Sequence, residues 1–464
     1  MKNKKALIAI LAALVVVAAV LLIWQPWKTN EEAVVTPEAA EEAATEAAEE
    51  ATAAVEAAEE AAEKEAAAVE AAEEAAKEEP AAEEPAAEAK VKLGVILLHD
   101  EDSTYDLNFI NGVKDAQKKL GLSDDDVIIK RNIPESNECY EAAKDLVDEG
   151  CTIVFADSFG HESFMVQAAK EFPNVDFSHA TGTMAHTEKL ANYHNAFAAI
   201  YEGRYLAGVA AGLKLNEIKE AGNLKGEKPM MGYVGAFTYA EVVSGYTSFY
   251  LGAKSVCPDV TMKVQFTGSW YDEKEEKAAA EALIAAGADL ISQHADSMGA
   301  PTACENAGIP DVSYNGSTVE SCPNTFIVAS RIDWAPYFQY IIGQKVAGEA
   351  IDTDWTGTIA TGSVKLTDVN EQAAAAGTVE KLAEVKAQFE AGTLKVFDTA
   401  TEGFITVGGN ALTEYMADVD TDAAFEKDTQ VVSDGYFHES EFRSAPYFDA
   451  EIDGIELLNR NYGD

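Results

Sequence analysis

Basic residues are scarce in this chain. Lys and Arg number 34 against 81 Asp and Glu, a formal net charge of -47. Such a surface repels nucleic acid and the anionic face of a membrane, which excludes both as partners of the chain's body. The imbalance argues for solubility and a saline habitat, not for a particular fold. Catalytic signatures are missing as well: there is no G-x-S-x-G elbow, no H-E-x-x-H and no Walker loop, so no residue pattern supports an enzyme. The 7 His lack supporting Cys or carboxylates at ligand spacing. His179, His186 and His194 therefore read as structural, and neither metal nor cofactor is expected. Cysteine is sparse, 5 in all with none before Cys139, so a lipid-modified Cys near the start is not expected. Cys139 and Cys151 bracket one helix, Cys304 and Cys322 bracket another unit, and Cys257 is left over. That spacing fits disulfides in an oxidising compartment and buried thiols equally well.

The N-terminal region divides in two. Met1 to Lys5 is basic and Ala6 to Trp24 is uninterrupted apolar sequence. Roughly 19 residues at ~1.5 Å rise nearly cross a ~30 Å hydrocarbon core. Trp24, Trp27 and Lys28 read as an interfacial belt. The flank Trp-Gln-Pro-Trp is unsuitable for signal cleavage, so residues 1–28 read as an uncleaved membrane anchor rather than a signal peptide. The basic start keeps that end cytoplasmic and places the rest outside. Residues 29–89 are almost entirely Ala and Glu. High helix propensity meets like-charge repulsion there, with no apolar stripe to bury, so the segment reads as a semi-rigid spacer broken at Pro80 and Pro85.

From Lys90 the texture is that of an α/β protein. Val91 to Leu98, Val127 to Lys130, Thr152 to Ala156 and Val175 to His179 read as buried strands separated by helix-length segments, the first of these, Asn108 to Leu120, stopped by Gly121. The pattern restarts at Met230 to Gly235, with strands Met262 to Phe266 and Asp289 to Ser292 and helices Tyr246 to Val256 and Lys274 to Ala286. Continuous apolar strands alternating with amphipathic helices predict parallel sheets covered on both faces. One phrase recurs: Ala156-Asp157-Ser158-Phe159-Gly160 returns as Ala295-Asp296-Ser297-Met298-Gly299, each after a helix, a Gly stop and a short apolar strand. The separation is too long for a solenoid repeat and fits two duplicated lobes whose equivalent loops face a cleft. Tyr201 to Gly212, rich in small residues, predicts a helix packed closely near a hinge, with a second crossing at Ser330 to Asp333 before a helix from Trp334 to Ala347. The expected organisation is an N-terminal lobe over 90–200, a C-terminal lobe over 201–331, and a shared hinge-crossing and C-terminal segment over 332–464. Past Gly357 short strands (Gly362 to Leu366, Gly403 to Val407) and a helix through Leu382 to Ala391 are expected.

Ligands of open α/β sheets collect beyond the carboxyl ends of the strands. The loops there are His99 to Tyr105, Asp157 to Phe159, Phe237 to Tyr239, Gly268 to Tyr271, Asp296 to Ser297 and Tyr314 to Asn315. They are rich in aromatics, carboxylates and amides and poor in Lys and Arg. Aromatic rings stack on a flat heterocycle, and Asp or Asn pairs with ring N–H groups or sugar hydroxyls; a sugar site would look similar. A phosphate is disfavoured. Asp157 and Asp296 also stand just before helices, where Asp commonly caps the N-terminus. Tyr105 has a local alternative too, at the start of its helix, and Trp334 reads as packing at the hinge.

Four stretches, 158–182, 201–212, 268–297 and 332–338 (SFGHESFMVQAAKEFPNVDFSHATG, YEGRYLAGVAAG, GSWYDEKEEKAAAEALIAAGADLISQHADS and IDWAPYF), carry a family resemblance. The body resembles the basic membrane protein family of ABC-transporter substrate-binding proteins, which have the type I periplasmic binding protein fold: two doubly wound Rossmann-like lobes joined by a hinge. The resemblance implies a monomeric, extracytoplasmic receptor that binds a purine base or purine nucleoside and delivers it to a membrane permease. It implies an aromatic sandwich at Tyr105 and Trp270, a ring-reading residue at Asp106, and Phe159, Glu202 and Asp296 near the cleft. Asn315 stands where nucleoside-binding relatives often carry Asp for the ribose hydroxyls, a departure that leans toward a free base. A second departure is the anchor and spacer in place of a lipid-modified Cys. A ligand-sensing receptor for signalling and a carbohydrate-binding protein of the same fold are the alternative readings.

Overall fold

Two parallel sheets organise the chain, as seen in a computed structural model that describes residues 91–419 and 426–460. The expected anchor (1–28) and spacer (29–89) lie outside the described residues. Among those described, no helix is long and apolar enough to cross a membrane.

The first sheet contains β1 (Leu93–Ile96), β2 (Val127–Lys130), β3 (Ile153–Ala156), β4 (Asp176–Ala180), β5 (Tyr193–Ala198) and β11 (Asp354–Gly357). Their order is β11-β5-β4-β3-β1-β2 and every pairing is parallel. The second contains β6 (Met230–Gly235), β7 (Thr261–Phe266), β8 (Leu290–His294), β9 (Asp311–Tyr314), β10 (Phe326–Ile332) and β12 (Val364–Leu366), ordered β12-β10-β9-β8-β6-β7 and extended at β7 by the strand Ile455–Leu457. Only β12 runs antiparallel to its neighbour. The repeated Ala-Asp-Ser phrases follow β3 and β8, which occupy matching places, one between β4 and β1, the other between β9 and β6. β1, β3 and β8 are buried along their whole length, as strands covered by helices on both faces must be. The chain passes from the first sheet to the second after β5, returns after β10, and passes again after β11.

Local chemistry sets the helix that matters most for the cleft. Ser103 caps Thr104–Leu120 by accepting from the Asp106 amide, and Gly121 ends it in the left-handed region at φ 69. Trp334 is buried and stacks on Phe109 of that helix with centroids 4.4 Å apart. Gly112 makes room, since a Cβ there would lie 2.7 Å from the Trp334 Cβ. The small-residue helix is Ile200–Glu220, packed on Ala240–Val256. Gly208 faces the Phe249 carbonyl and Gly252 faces the Tyr205 carbonyl, so the two backbones touch where each helix lacks a side chain.

The C-terminal part is more irregular than expected. The helix is Thr378–Glu390, but the strand expected over Gly403 to Val407 shortens to Thr406–Val407, because Gly403 lies in a turn with φ 73. Phe397, Phe437 and Phe448 pack on one another there and join the main core, with Phe397 meeting Tyr201. All five cysteines are free and buried, and burial raises the thiols of Cys151 and Cys257 to about 11.

Gly208→Ala tests the helix contact. Alanine ordinarily favours a helix interior by ~1 kcal/mol, but a Cβ at 208 would lie 2.0 Å from the Phe249 oxygen. The clash is with backbone, so the helices must separate. Chemical denaturation is expected to show a net loss of ~1–3 kcal/mol; a gain would mean the helices slide freely.

Candidate ligand-binding site between the lobes

Six of the seven residues expected at a ligand site line one cavity: Tyr105, Asp106, Phe159, Trp270, Asp296 and Asn315. Each comes from a loop or helix start just beyond a strand's carboxyl end, and the two lobes both contribute. Glu202 does not join them. It sits in the first turn of Ile200–Glu220, where its carboxylate accepts from the Ile359 amide at 2.7 Å beside the last crossing. Burial raises it to about 7. The structure does not bring it to the cavity, because helix geometry turns position 202 toward the connection that follows β11.

The lobes are closed on one another. Asn108 Nδ2 donates to the Asn315 carbonyl at 2.8 Å, and the Thr104 amide donates to the Asp296 carbonyl at 3.4 Å. The enclosed space is about 30 Å³, enough for water, whereas pockets for small ligands run ~300–1,000 Å³. A ladder of rings runs between two of its lining residues, Phe159 and Trp270. Phe159 of the first lobe stacks on Tyr239 at 4.9 Å, Tyr239 on Phe237 at 5.1 Å, and Phe237 meets Trp270 edge-on at 5.0 Å. A flat ligand enters only if the lobes part or one ring of this ladder yields its place.

The polar groups are carboxylates with few cations. Asp106 is buried, accepting from the His99 amide at 2.8 Å and from Ser103 Oγ at 2.6 Å. Burial opposes its ionisation, but bonds from His99, Asp157 and Ser103 outweigh it and hold the carboxyl below its ordinary value. Asp157 goes the other way, driven well up by burial and by the Asp106 charge. Burial thus favours the neutral form of Asp157, while its polar partners favour the charged form of Asp106. Neither repeated Asp caps a helix. Asp157 Oδ1 instead accepts from the Leu98 amide at 3.1 Å and ties β3 to β1, and Asp296 Oδ1 accepts from Asn315 Nδ2 at 3.0 Å. Tyr105 likewise lies inside its helix, with its hydroxyl donating to the Asp157 carbonyl at 2.8 Å. Asn315 has φ 63, a left-handed conformation Asn tolerates. Its amide gives Asp296 a donor that an Asp at 315 could not supply, while burial pushes Asp296 well up.

Glu241, His294 and Thr181 also line the cavity and were missed by the sequence reading. Glu241 lies two residues past the loop taken as Phe237 to Tyr239. His294 ends a strand expected to stop at Ser292. Its Nε2 lies 3.5 Å from Glu241, and burial lowers its basicity against the pull of that carboxylate. Under His294 lies Tyr314, at 4.5 Å between centroids, and beneath Tyr314 lies the Arg204 guanidinium, 4.9 Å from that ring. Among the described residues, no group of three or more His, Cys, Asp or Glu is placed to hold a metal ion.

Comparison with known proteins places this architecture. The family described as ABC transporter substrate-binding protein, PnrA-like, matches residues 94–393, and the chain belongs to that family. It is a family of substrate-binding proteins rather than of enzymes. A purine-binding protein of Brucella abortus is 36% identical over 207 residues, 45% of this chain and 55% of that protein. A proposed ABC-transporter glucose-binding protein of Haloferax volcanii is 33% identical over 186 residues, 40% of this chain and 44% of that one. An ABC-transporter nucleoside-binding protein of Lactococcus lactis is 29% identical over 154 residues, 32% of this chain and 39% of that one. The chain thus spans about half the length of the curated relatives it matches. A solute-binding protein of an ABC transporter from Aeropyrum pernix superposes with a TM-score of 0.56 at 16% identity, covering 68% of this chain and 94% of the other. That likeness is one of α/β periplasmic-binding-protein-like fold.

Asp157→Asn tests the raised carboxyl at Asp157. An acid whose pKa rises on folding binds more protons folded than unfolded, so stability falls as pH climbs above the ordinary carboxyl value of 3.8. Asn keeps the acceptor for the Leu98 amide and offers Asp106 a permanent donor. Melting curves from pH 4 to 8 are expected to decline less with rising pH in the variant than in the parent. An identical slope would mean that Asp157 ionises freely.

Proposed function

We propose that this protein is the extracytoplasmic substrate-binding component of an ABC importer, closing its lobes on a purine base or purine nucleoside and presenting it to a membrane permease. The observation that carries the reading is the single cavity in which Tyr105, Phe159 and Trp270 stand with Asp106, Asp296 and Asn315. Rings supply stacking faces and the carboxylates accept from ring N–H groups. No Lys or Arg is found among the described residues lining it, which disfavours a phosphate. Kinship with purine- and nucleoside-binding relatives supports the ligand class. Binding needs no covalent step. Hinge closure expels water and covers the ring, and opening against the permease releases it. The protein acts as a monomer, held to the membrane by the apolar run Ala6 to Trp24.

A carbohydrate ligand is the second reading, favoured by the Haloferax volcanii relative. A receptor that senses the same ligand for signalling would share the whole site. A thermal-shift screen with bases, nucleosides and sugars separates the ligand classes, because a tight ligand raises apparent stability by mass action. Purines are expected to shift the melting point and free hexoses to leave it in place.

Trp270→Ala removes one stacking face. Calorimetric titration with the best purine is expected to lose ~1–3 kcal/mol, on the scale of base–aromatic stacking. Unchanged affinity would move the ligand away from Trp270.

A further inference from the structure

A second chamber adjoins the first. It encloses about 250 Å³ and shares Phe159, Thr181 and Glu241 with the cavity already described. Its remaining wall comes from three sources: Thr183 and Thr187 beyond β4 in the first lobe, Tyr239 in the second, and Asp418 and Arg443 in the C-terminal segment. That segment lies beyond residue 393, where the family match stops. Asp418 and Arg443 therefore stand outside the matched region.

The chamber differs in chemistry from its neighbour. Arg443 is the one Lys or Arg among the described residues lining either space. It is held in place rather than free to sweep. Nη1 donates to the Asp418 carbonyl at 2.9 Å, Nε donates to the Ala445 carbonyl at 3.3 Å, and the guanidinium lies 5.7 Å from the Tyr447 ring. The segment carrying it is itself fastened to both sheets: the Ser444 amide donates to Asp354 on β11 at 2.6 Å, and the strand Ile455–Leu457 pairs with β7. A fixed guanidinium, two carboxylates and a row of threonine hydroxyls are groups that pair with alcohols, because each alcohol both donates and accepts. Two carboxylates against one cation exclude a phosphate from the same space.

We infer that this annex is a second subsite, in which Arg443, Thr183, Thr187 and Glu241 take a neutral, hydroxyl-rich substituent attached to the ring held in the first cavity. The inference rests on the purine reading and makes that ligand a nucleoside rather than a free base. It also reverses the lean drawn from Asn315, because the C-terminal segment brings Arg443 as a partner for sugar hydroxyls. The first cavity reads the ring and the annex reads the sugar.

Matched pairs test it: adenine with adenosine and hypoxanthine with inosine, titrated calorimetrically into the full chain, its Arg443→Gln variant and its Thr187→Val variant. Thr187→Val deletes a hydroxyl with little change in volume, so it serves even if Arg443→Gln destabilises the C-terminal segment. The parent is expected to bind each nucleoside at least about tenfold more tightly than its base, a step of ~1.4 kcal/mol. Both variants are expected to lose most of that gain while holding the base as before. A base that binds as well as its nucleoside, or variants that weaken both alike or neither, overturns the annex and leaves the purine reading standing. Failure of all four compounds to bind the parent overturns the purine reading itself, and the annex with it.

Discussion

Arg204 is fully buried where the chain first enters the second lobe, and its guanidinium organises the wall behind the ligand cavity. It donates to the Tyr233 hydroxyl at 2.8 Å, the Ser292 hydroxyl at 3.1 Å and the Gln293 carbonyl at 3.3 Å, and reaches Ser330 Oγ at 3.5 Å. β6, β8 and β10 are thereby tied to the crossing helix by one side chain. A buried charge without partners costs several kcal/mol. Here hydroxyls, a carbonyl and the faces of Tyr233, Phe249 and Tyr314 replace its water. Tyr314 lies between this cation and His294, so the position of the cavity's rear wall follows from how Arg204 is satisfied.

The cleft carries the opposite problem. Asp106, Asp296 and Glu241 converge in a space with few cations, with Asp157 buried outside it, and mutual repulsion across the cleft resists closure. The structure answers with protons and backbone donors. Asp157 and Asp296 are driven toward the neutral form, Asp106 draws on the His99 amide and Ser103, and Asn315 gives its amide to Asp296. A ligand offering N–H donors eases the same repulsion. Closing the lobes and holding such a ligand are in this sense one electrostatic problem.

Much of the scaffold was legible in the sequence because it is local. A buried strand such as β6 announces itself by composition, and it spans the expected Met230 to Gly235. The doubled Ala-Asp-Ser phrase located two matching loops, since duplicated strands leave duplicated ends. Helix capping was one of two readings of these Asp and neither caps, because whether a carboxylate turns to its own helix or to Leu98 and Asn315 depends on strands far away in the chain. Glu202 looked like a cleft residue by resemblance, and only the path of the last crossing shows it bonded to Ile359. Glu241 and His294 were invisible for the same reason: each follows an ordinary loop or strand end, and only sheet order brings them together.

The sequence by itself determined an acidic α/β protein of two related halves, with aromatic and carboxylate loops at the strand ends. Those properties follow from apolar periodicity, turn residues and charge, which act over a few neighbouring positions. Only the tertiary structure decided which loops meet, which carboxyls burial drives toward the neutral form, and that a C-terminal segment sets Arg443 beside the cleft. Carboxyl burial and cavity shape depend on distances between residues remote in the chain, and packing of the whole body sets those distances.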